Sequence, residues 1–313
     1  MKKKWNWLKN ILCLLGLVLC AFLLDYLSMN VGYLMTRKNY QEENLKVVGN
    51  KDHYVPQGLT YDEKSQIVLQ TSYHKKHDIS RIYISDFTDG EFVKSLDLYD
   101  SNLKPITGHV GGITTNGEKV WITSDSTIWE FLLEDILMGK DRVSSIIENE
   151  LPIRGDFCTY YDGELYIGDF FQKIFWSVEN DTPLLLVYPV EDSIDYQKPT
   201  KIASIPGTVQ GMVITPEHDF YFTHSYTFLN PSKLSVYSNV FDKYTDDTYR
   251  LGKEEIPYYH FQEDDLENTI TLPSMAEEFF YKDGRLYLLF ESSCDSYRLA
   301  FPKIHHILSY KIK

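Results

Sequence analysis

Ser80-Arg81-Ile82-Tyr83-Ile84-Ser85, Thr127-Ile128-Trp129-Glu130-Phe131, Lys173-Ile174-Phe175-Trp176-Ser177, Lys233-Leu234-Ser235-Val236-Tyr237 and His306-Ile307-Leu308-Ser309-Tyr310 are five copies of one short strand. Each sets a small or polar residue before an aliphatic, and then an aromatic or aliphatic pair. Ile82, Ile128 and Ile174 are spaced 46 residues apart, and the next two steps lengthen to 60 and 73. A repeat of roughly 50 residues, built from short strands and turns, is the mark of a β-propeller.

Each copy is preceded by two more strand patterns. In the second unit Gly111 to Thr115 leads through Asn116-Gly117 to Val120–Asp125. The third has Asp156 to Tyr160, the turn Asp162-Gly163, and Leu165 to Asp169. The fifth has Glu277 to Tyr281, Asp283-Gly284, and Leu286 to Glu291. Asn-Gly and Asp-Gly between apolar runs are hairpin signals, because both turn positions need positive φ. The first and fourth units open with Pro56-Gln57-Gly58-Leu59-Thr60 and Val209-Gln210-Gly211-Met212-Val213. Each unit therefore reads as strands a, b and c followed by an outer strand d. The expected outer strands are Phe92 to Leu98, Ser144 to Leu151, Leu184 to Val190 and Ile256 to Phe261. The fifth unit ends with strand c at the C-terminus, so Leu45 to Val48 is expected to supply its outer strand and clasp the ring. Closure removes the exposed sheet edges. Glu130 to Met138 is expected to form a short inserted helix.

The expected fold is thus an all-β, five-bladed propeller over residues 44–313, behind an N-terminal transmembrane signal anchor. The N-terminus divides into a basic cytoplasmic segment (1–10), an apolar stretch (11–35) and a polar tether (36–43). Lysines before an apolar run place the N-terminus in the cytoplasm. The uninterrupted run from Ile11 to Leu24 is short for a full span. Extension to Leu27, with Trp5 and Trp7 as interfacial anchors, makes it a single-pass span. No small-x-small cleavage site follows it cleanly; a cleaved signal peptide and a secreted body is the alternative. The expected location is the cell membrane, with the propeller outside the cytoplasm.

The chain of 313 residues carries a net charge of −14. Its first 36 residues hold four lysines against one aspartate, so the remainder carries three more negative charges than the whole, −17. Such a body repels phosphate backbones, which argues against a nucleic-acid partner. Two of the four cysteines, Cys13 and Cys20, fall in the apolar stretch. Cys158 and Cys294 alone make no disulfide framework and no zinc motif. A monomer is expected.

A propeller lines its central channel with strand a. The start of strand a lies beside the end of strand b, because the two run antiparallel. Collecting both positions gives a ring of polar residues at one mouth: Gln57, His109, Asp156, Gln210 and Glu277 or Glu278 from the a strands; Ser72 to His74, Ser124-Asp125, Asp169, His224-Ser225 and Glu291-Ser292 from the b strands. Crowded carboxylates raise one another's pKa and can serve as general acid or base. His109, Asp156, Glu277 and His224 are the candidate catalytic groups. Gln57, Asp125, Asp169, Gln210, Glu278, Glu291 and Arg298 are candidate binding groups. Asp156 and Glu277 are candidate ligands for one divalent cation, calcium or magnesium. The competing reading is that these side chains only cap strand ends and hold channel water. Two loops over this mouth, His74-Lys75-Lys76-His77-Asp78 and Ser293 to His305 with Tyr297, Arg298, Lys303 and His305, are basic in an acidic protein. They are placed to grip an anionic ligand group, unless they only balance nearby carboxylates.

Pro56-Gln57-Gly58-Leu59, Gly108-His109-Val110-Gly111-Gly112, Val209-Gln210-Gly211-Met212 and Met275-Ala276-Glu277-Glu278 together resemble the broad group of calcium-dependent lactonase, strictosidine-synthase-like, streptogramin-lyase-like and glutaminyl-cyclase-like propellers. The resemblance covers roughly Val48 to Lys313 and lies in the repeat architecture. It implies a channel that often holds a divalent cation, and hydrolase, lyase or cyclase chemistry. The alternative function is a non-catalytic module that recognises a protein or cell-envelope component through its Tyr- and Phe-rich loops.

Overall fold

The computed structural model describes residues 7, 9–24, 37–76, 78–171, 182–228 and 230–312. It is a five-bladed β-propeller, with one sheet per blade. The first blade orders Tyr54–Asp62, Ile67–His74, Arg81–Asp86 and Phe92–Tyr99 from the channel outwards. The second orders Gly112–Thr115, Lys119–Ser124, Thr127–Leu132 and Ile147–Glu150, with a short helix, Leu133–Met138, in its last connection.

The third and fourth blades depart from the expected outer strands. The Ile174 copy lies outside the described residues. Leu184–Pro189, expected as an outer strand, pairs directly with Glu164–Gly168 as the third strand of its sheet. Lys201–Ser204 is next outwards. The segment expected as the fourth blade's outer strand, Ile256 to Phe261, instead falls mostly in Glu254–His260, which runs parallel to Lys201–Ser204. Leu266–Leu272 fills the outer place of the fourth blade, beyond Val209–Ile214, Phe220–His224 and Ser232–Tyr237. The first blade is extended in the same way: Arg142–Ser144, from the second blade's last connection, runs parallel to Phe92–Tyr99. In both places a long connection covers the outer edge of the preceding blade.

The fifth blade closes the ring as expected. Ala276–Lys282, Arg285–Phe290 and His306–Lys311 are completed by Tyr40–Lys46 from the start of the propeller. The strand begins a few residues before the Leu45 expected from the sequence. Asp162-Gly163 and Asp283-Gly284 form two-residue turns with positive φ at both positions, as their hairpins demand. Asn116-Gly117 turns differently: the Asn116 side chain accepts the Glu118 and Lys119 N–H at 3.0 and 2.8 Å, and only Gly117 has positive φ.

Five apolar clusters fill the five blade–blade interfaces. Leu69, Leu96, Ile113, Ile122 and Phe131 join the first two blades. Trp121, Ile128, Leu165 and Leu186 join the second and third. Phe157, Met212, Phe220 and Phe222 join the third and fourth. Leu234, Phe279, Leu288 and Phe290 join the fourth and fifth. Leu45, Leu59, Val68, Leu289 and Ile307 close the fifth on the first. Period-two alternation makes this work, since Trp121 faces one neighbour while Ile122 faces the other.

Residues 9–24 are helical, and Leu12, Leu15, Leu17, Leu19, Phe22 and Leu24 along them are exposed. Among the described residues no helix is long and apolar enough to cross a membrane. Residues 25–36, needed for the expected extension of the span, lie outside the described residues.

Candidate active site at the channel mouth

Three of the five inner strands break register where they enter the channel: between Pro56 and Leu59, between Val209 and Gly211, and between Ala276 and Phe279. Such bulges give two residues on one strand to a single partner and re-aim side chains. They carry Gln57, Gln210 and the pair Glu277-Glu278. The bulges place Gln57, Gln210 and Glu277 on one cavity of about 260 Å³, with Tyr73, His109, Ser124, Arg154, Asp156, Phe170, Glu291 and Tyr297 also lining it. Eight residues of the sequence-expected ring meet there: Gln57, Tyr73, His109, Ser124, Asp156, Gln210, Glu277 and Glu291.

Two carboxyl groups dominate the electrostatics. Glu277 is almost wholly buried, and desolvation pushes its pKa well up, reinforced by the charges of Glu291 and Glu278. Burial also raises Glu291, to about 7, although hydrogen bonds from Tyr297 and Gln57 and the charge of Lys75 oppose the rise. Gln57 Nε2 donates to Glu291 Oε2 at 3.2 Å and to its neighbour's carbonyl, Pro56 O, at 2.9 Å. The Tyr297 hydroxyl also reaches Tyr73, whose pKa burial lifts to about 12. His109 is exposed at the mouth, with its ring 4.1 Å from that of Tyr73. The protein packed around the imidazole still lowers its pKa, against the opposing charges of Asp125 and Asp156.

Asp156 is committed to its surroundings. Its Oδ1 pairs with Arg154 Nη2 at 3.0 Å, and its Oδ2 accepts the Phe170 N–H at 2.8 Å. Among the described residues no group of three or more His, Cys, Asp or Glu side chains is placed to hold a metal ion. Asp156 and Glu277, the ligands expected for a cation, are thus not joined by a third such side chain among the described residues.

The remaining expected residues sit elsewhere. Asp125 lies at the rim, with positive φ, and accepts from Ser124 Oγ at 2.9 Å. Asp169 stands behind the wall: its Oδ1 accepts the Gly155 N–H at 3.2 Å, and burial lifts its pKa to about 6. His224 is apart from the channel. It lines a groove on the fourth blade, and both its ring nitrogens are engaged, with Gly207 O at 3.0 Å and Ser235 Oγ at 2.6 Å. Arg298 lines a neighbouring groove rather than the cavity. Glu278 points away from the mouth into the channel. There its carboxylate accepts the N–H groups of Leu59, Ile113 and Cys158 at 3.1, 3.0 and 3.2 Å. It plugs the channel and borders a second cavity, of about 210 Å³, at the far end.

Arg154 and Phe170 line the cavity without having been expected there, whereas Tyr73 belongs to the expected ring and Tyr297 to the expected loop over the mouth. Tyr73 adjoins the end of a b strand, and the signal for it was present in the strand alignment. Tyr297 reaches the cavity through the fold of a loop, which no periodicity reveals.

No protein-family model matches the chain, and no curated protein matches it. Solved structures do match its shape. Glutaminyl cyclase from Myxococcus xanthus superimposes with a TM-score of 0.50 at 7% identity, over 88% of this chain and 97% of that one. The PQQ-bound aldose sugar dehydrogenase from Streptomyces coelicolor gives a TM-score of 0.49 at 10% identity, over 88% and 98%. At 7% identity the likeness to the glutaminyl cyclase concerns the fold alone.

Proposed function

We propose that this protein is a membrane-tethered propeller, held outside the cytoplasm, that binds a small polar molecule in the channel-mouth cavity and acts on it by hydrolase- or lyase-type acid–base chemistry. The observation that carries the reading is the pair Glu277 and Glu291. Both line one cavity, both are lifted above the ordinary carboxyl range, and the charge of one disfavours the charge of the other. A pair of this kind keeps one proton near neutral pH. In a hydrolysis, the neutral member gives its proton to the leaving group while the ionised member takes one from water. Gln57 and Tyr297 hold Glu291 in place, and Tyr73, bonded to Tyr297 and packed against His109, continues the lining.

The tether is read from the exposed apolar side chains of residues 9–24 and the lysines before them. A second reading, a recognition module for a cell-envelope component, draws on the far end of the channel. There Tyr61, Tyr160, Tyr161 and Tyr281 line the smaller cavity, a surface suited to stacking.

The test is turnover of esters, lactones and lyase substrates by the full-length protein, with Glu277→Gln and Glu291→Gln beside it. Each change is expected to lower kcat by about 10²-fold or more with the fold intact. Turnover that survives both substitutions would sink the acid–base reading. A ligand whose binding responds to Tyr160→Ala and to neither carboxyl change would favour the second.

A further inference from the structure

Beside the channel cavity lies a broader groove of about 860 Å³, lined by Lys75, Arg298, Lys303, His53 and His305, with Asp52 and Asp295 also on its walls. Three fixed cations around one concavity are unusual in a chain of net charge −14. The simplest account of them is neutralisation of neighbouring carboxylates; Lys75 does act on Glu291 and Asp295 on Lys303, but only beyond ion-pair distance. Ion pairs form across the rest of the propeller, for example Arg81 with Asp97 and Lys201 with Glu164. Among the described residues none of Lys75, Arg298 and Lys303 is ion-paired with a carboxylate, although two aspartates share their groove.

The groove is held in shape from behind. The Lys75 N–H donates to His53 O at 3.0 Å, and the Asp295 N–H donates to Asn50 O at 3.0 Å. Asn50 Nδ2 donates to Ser293 Oγ at 2.9 Å, and the Ile304 N–H to Ser292 Oγ at 3.2 Å. Lys303 Nζ donates to the Tyr297 carbonyl, which fixes its ammonium and leaves two of its three donors free. The groove also communicates with the channel. Lys75 Nζ lies 4.0 Å from the centre of the Tyr297 ring, and that ring lines the channel cavity. One aromatic ring and one ammonium thus separate the two spaces, and the Lys75 charge is felt by Glu291.

We propose that this groove is an anion subsite, which takes the carboxylate or phosphate group of a ligand whose remainder reaches the channel cavity. It rests on the reading of that cavity as a small-molecule site. Arg298 offers a planar fork of donors for such an oxyanion, and Lys75 and Lys303 add point charges. The substrate is accordingly a small anion, with its reacting group beside Glu277 and Glu291 and its charged group in the groove.

The experiment is calorimetric titration of the full-length protein with inorganic phosphate and with citrate, at constant ionic strength in chloride. Saturable binding is expected for at least one of the two, and the preferred anion tells phosphate from carboxylate chemistry. Each lost charge-assisted hydrogen bond weakens an anion roughly tenfold. Arg298→Ala combined with Lys303→Ala, both exposed positions, is therefore expected to weaken binding about a hundredfold. Absence of saturable binding by either anion, or binding unchanged in the double variant, overturns the subsite. Titration of Glu291→Gln separates the two readings. Anion binding kept there, with turnover lost, supports both. Anion binding with turnover indifferent to the carboxyl changes removes the catalytic reading and leaves the subsite standing.

Discussion

Glu278 accepts the backbone N–H of Ile113 at 3.0 Å, although 165 residues of sequence separate them. The same carboxylate takes the N–H groups of Leu59 and Cys158. One side chain of the fifth blade therefore ties together the inner strands of the first three. Space for it is made by small neighbours: a Cβ on Gly211 would come 2.8 Å from Glu278 Cα. Glutamine at this position keeps one carbonyl oxygen and turns an N–H₂ toward a backbone donor. Glu278→Gln is expected to cost about 1–3 kcal/mol, the penalty of a buried donor left without an acceptor. Urea unfolding of the variant measures it. A loss under about 0.5 kcal/mol would show that the three N–H groups find other partners.

The raised carboxyl groups fix the sign of the pH dependence. In the fold Glu291 is lifted from 4.5 to about 7 and Asp169 from 3.8 to about 6, and Glu277 moves the same way. A group whose folded pKa is raised contributes stability below its unfolded pKa and loses it as pH climbs through the folded value. The propeller is therefore expected to melt higher at pH 5 than at pH 8, with the loss concentrated between about 4.5 and 7. Asp265, held low by Lys243 against its burial, has the opposite sign, but its effect falls below that window. His109 and His224, both lowered by burial, also have the opposite sign and offset part of the loss within it, so the carboxyl groups set the net slope only because they are the more numerous and more strongly shifted. Differential scanning calorimetry of Glu291→Gln beside the native chain isolates the cause. The slope of Tm against pH is expected to flatten in the variant, and identical slopes would remove Glu291 from the account.

Much of this was readable from the residues. The five-fold period, the order of strands and the clasp follow from alternation and turn chemistry, which are local. The gathering of Gln57, His109, Asp156, Gln210, Glu277 and Glu291 follows from antiparallel pairing alone. Outer strands were less legible. Tyr- and Leu-rich segments such as Leu184–Pro189 and Glu254–His260 have the same propensity for any edge, and long-range pairing decides which edge they take. Glu277 and Glu278 could not be told apart either. They share a bulge, and the fold alone sends one to the mouth and the other into the plug. His224 has the residue type and strand position of a site member, yet its blade turns it toward Ser235.

The apolar helix makes a prediction about place. Leu12, Leu15, Leu17 and Leu19 are exposed on the helix, and nothing charged interrupts the run from Ile11 to Leu24. Full-length protein is expected to sediment with membranes and to resist alkaline extraction, and protease added outside intact cells is expected to cleave the propeller. Leu17→Lys with Leu19→Lys should release it from the membrane, since each central lysine costs about 3 kcal/mol of insertion. Recovery of the native chain in the soluble cytoplasmic fraction would end the tether reading.

Closure of the ring rests on its first strand. Tyr40–Lys46 pairs with His306–Lys311, with Tyr40 opposite Tyr310 and Lys46 opposite His306. The Val47 N–H donates to His305 O at 2.9 Å, and His306 Nδ1 lies 2.8 Å from Glu43 O. Apolar contact accompanies these bonds: Leu45 and Val47 are buried with Leu59, Val68, Leu289 and Ile307 between the last blade and the first. Leu45→Asp puts a carboxylate in that cluster and removes its packing, at an expected cost of about 3 kcal/mol or more. Glu42, exposed on the same strand, is the control, and Glu42→Gln should change stability by less than about 0.5 kcal/mol. Both chains are compared by urea unfolding and by limited proteolysis near residue 46. If the clasp holds the ring, Leu45→Asp lowers the midpoint and exposes the first strand to cleavage before the blades unfold. Equal midpoints in the two variants would mean that the other four interfaces keep the propeller closed without it.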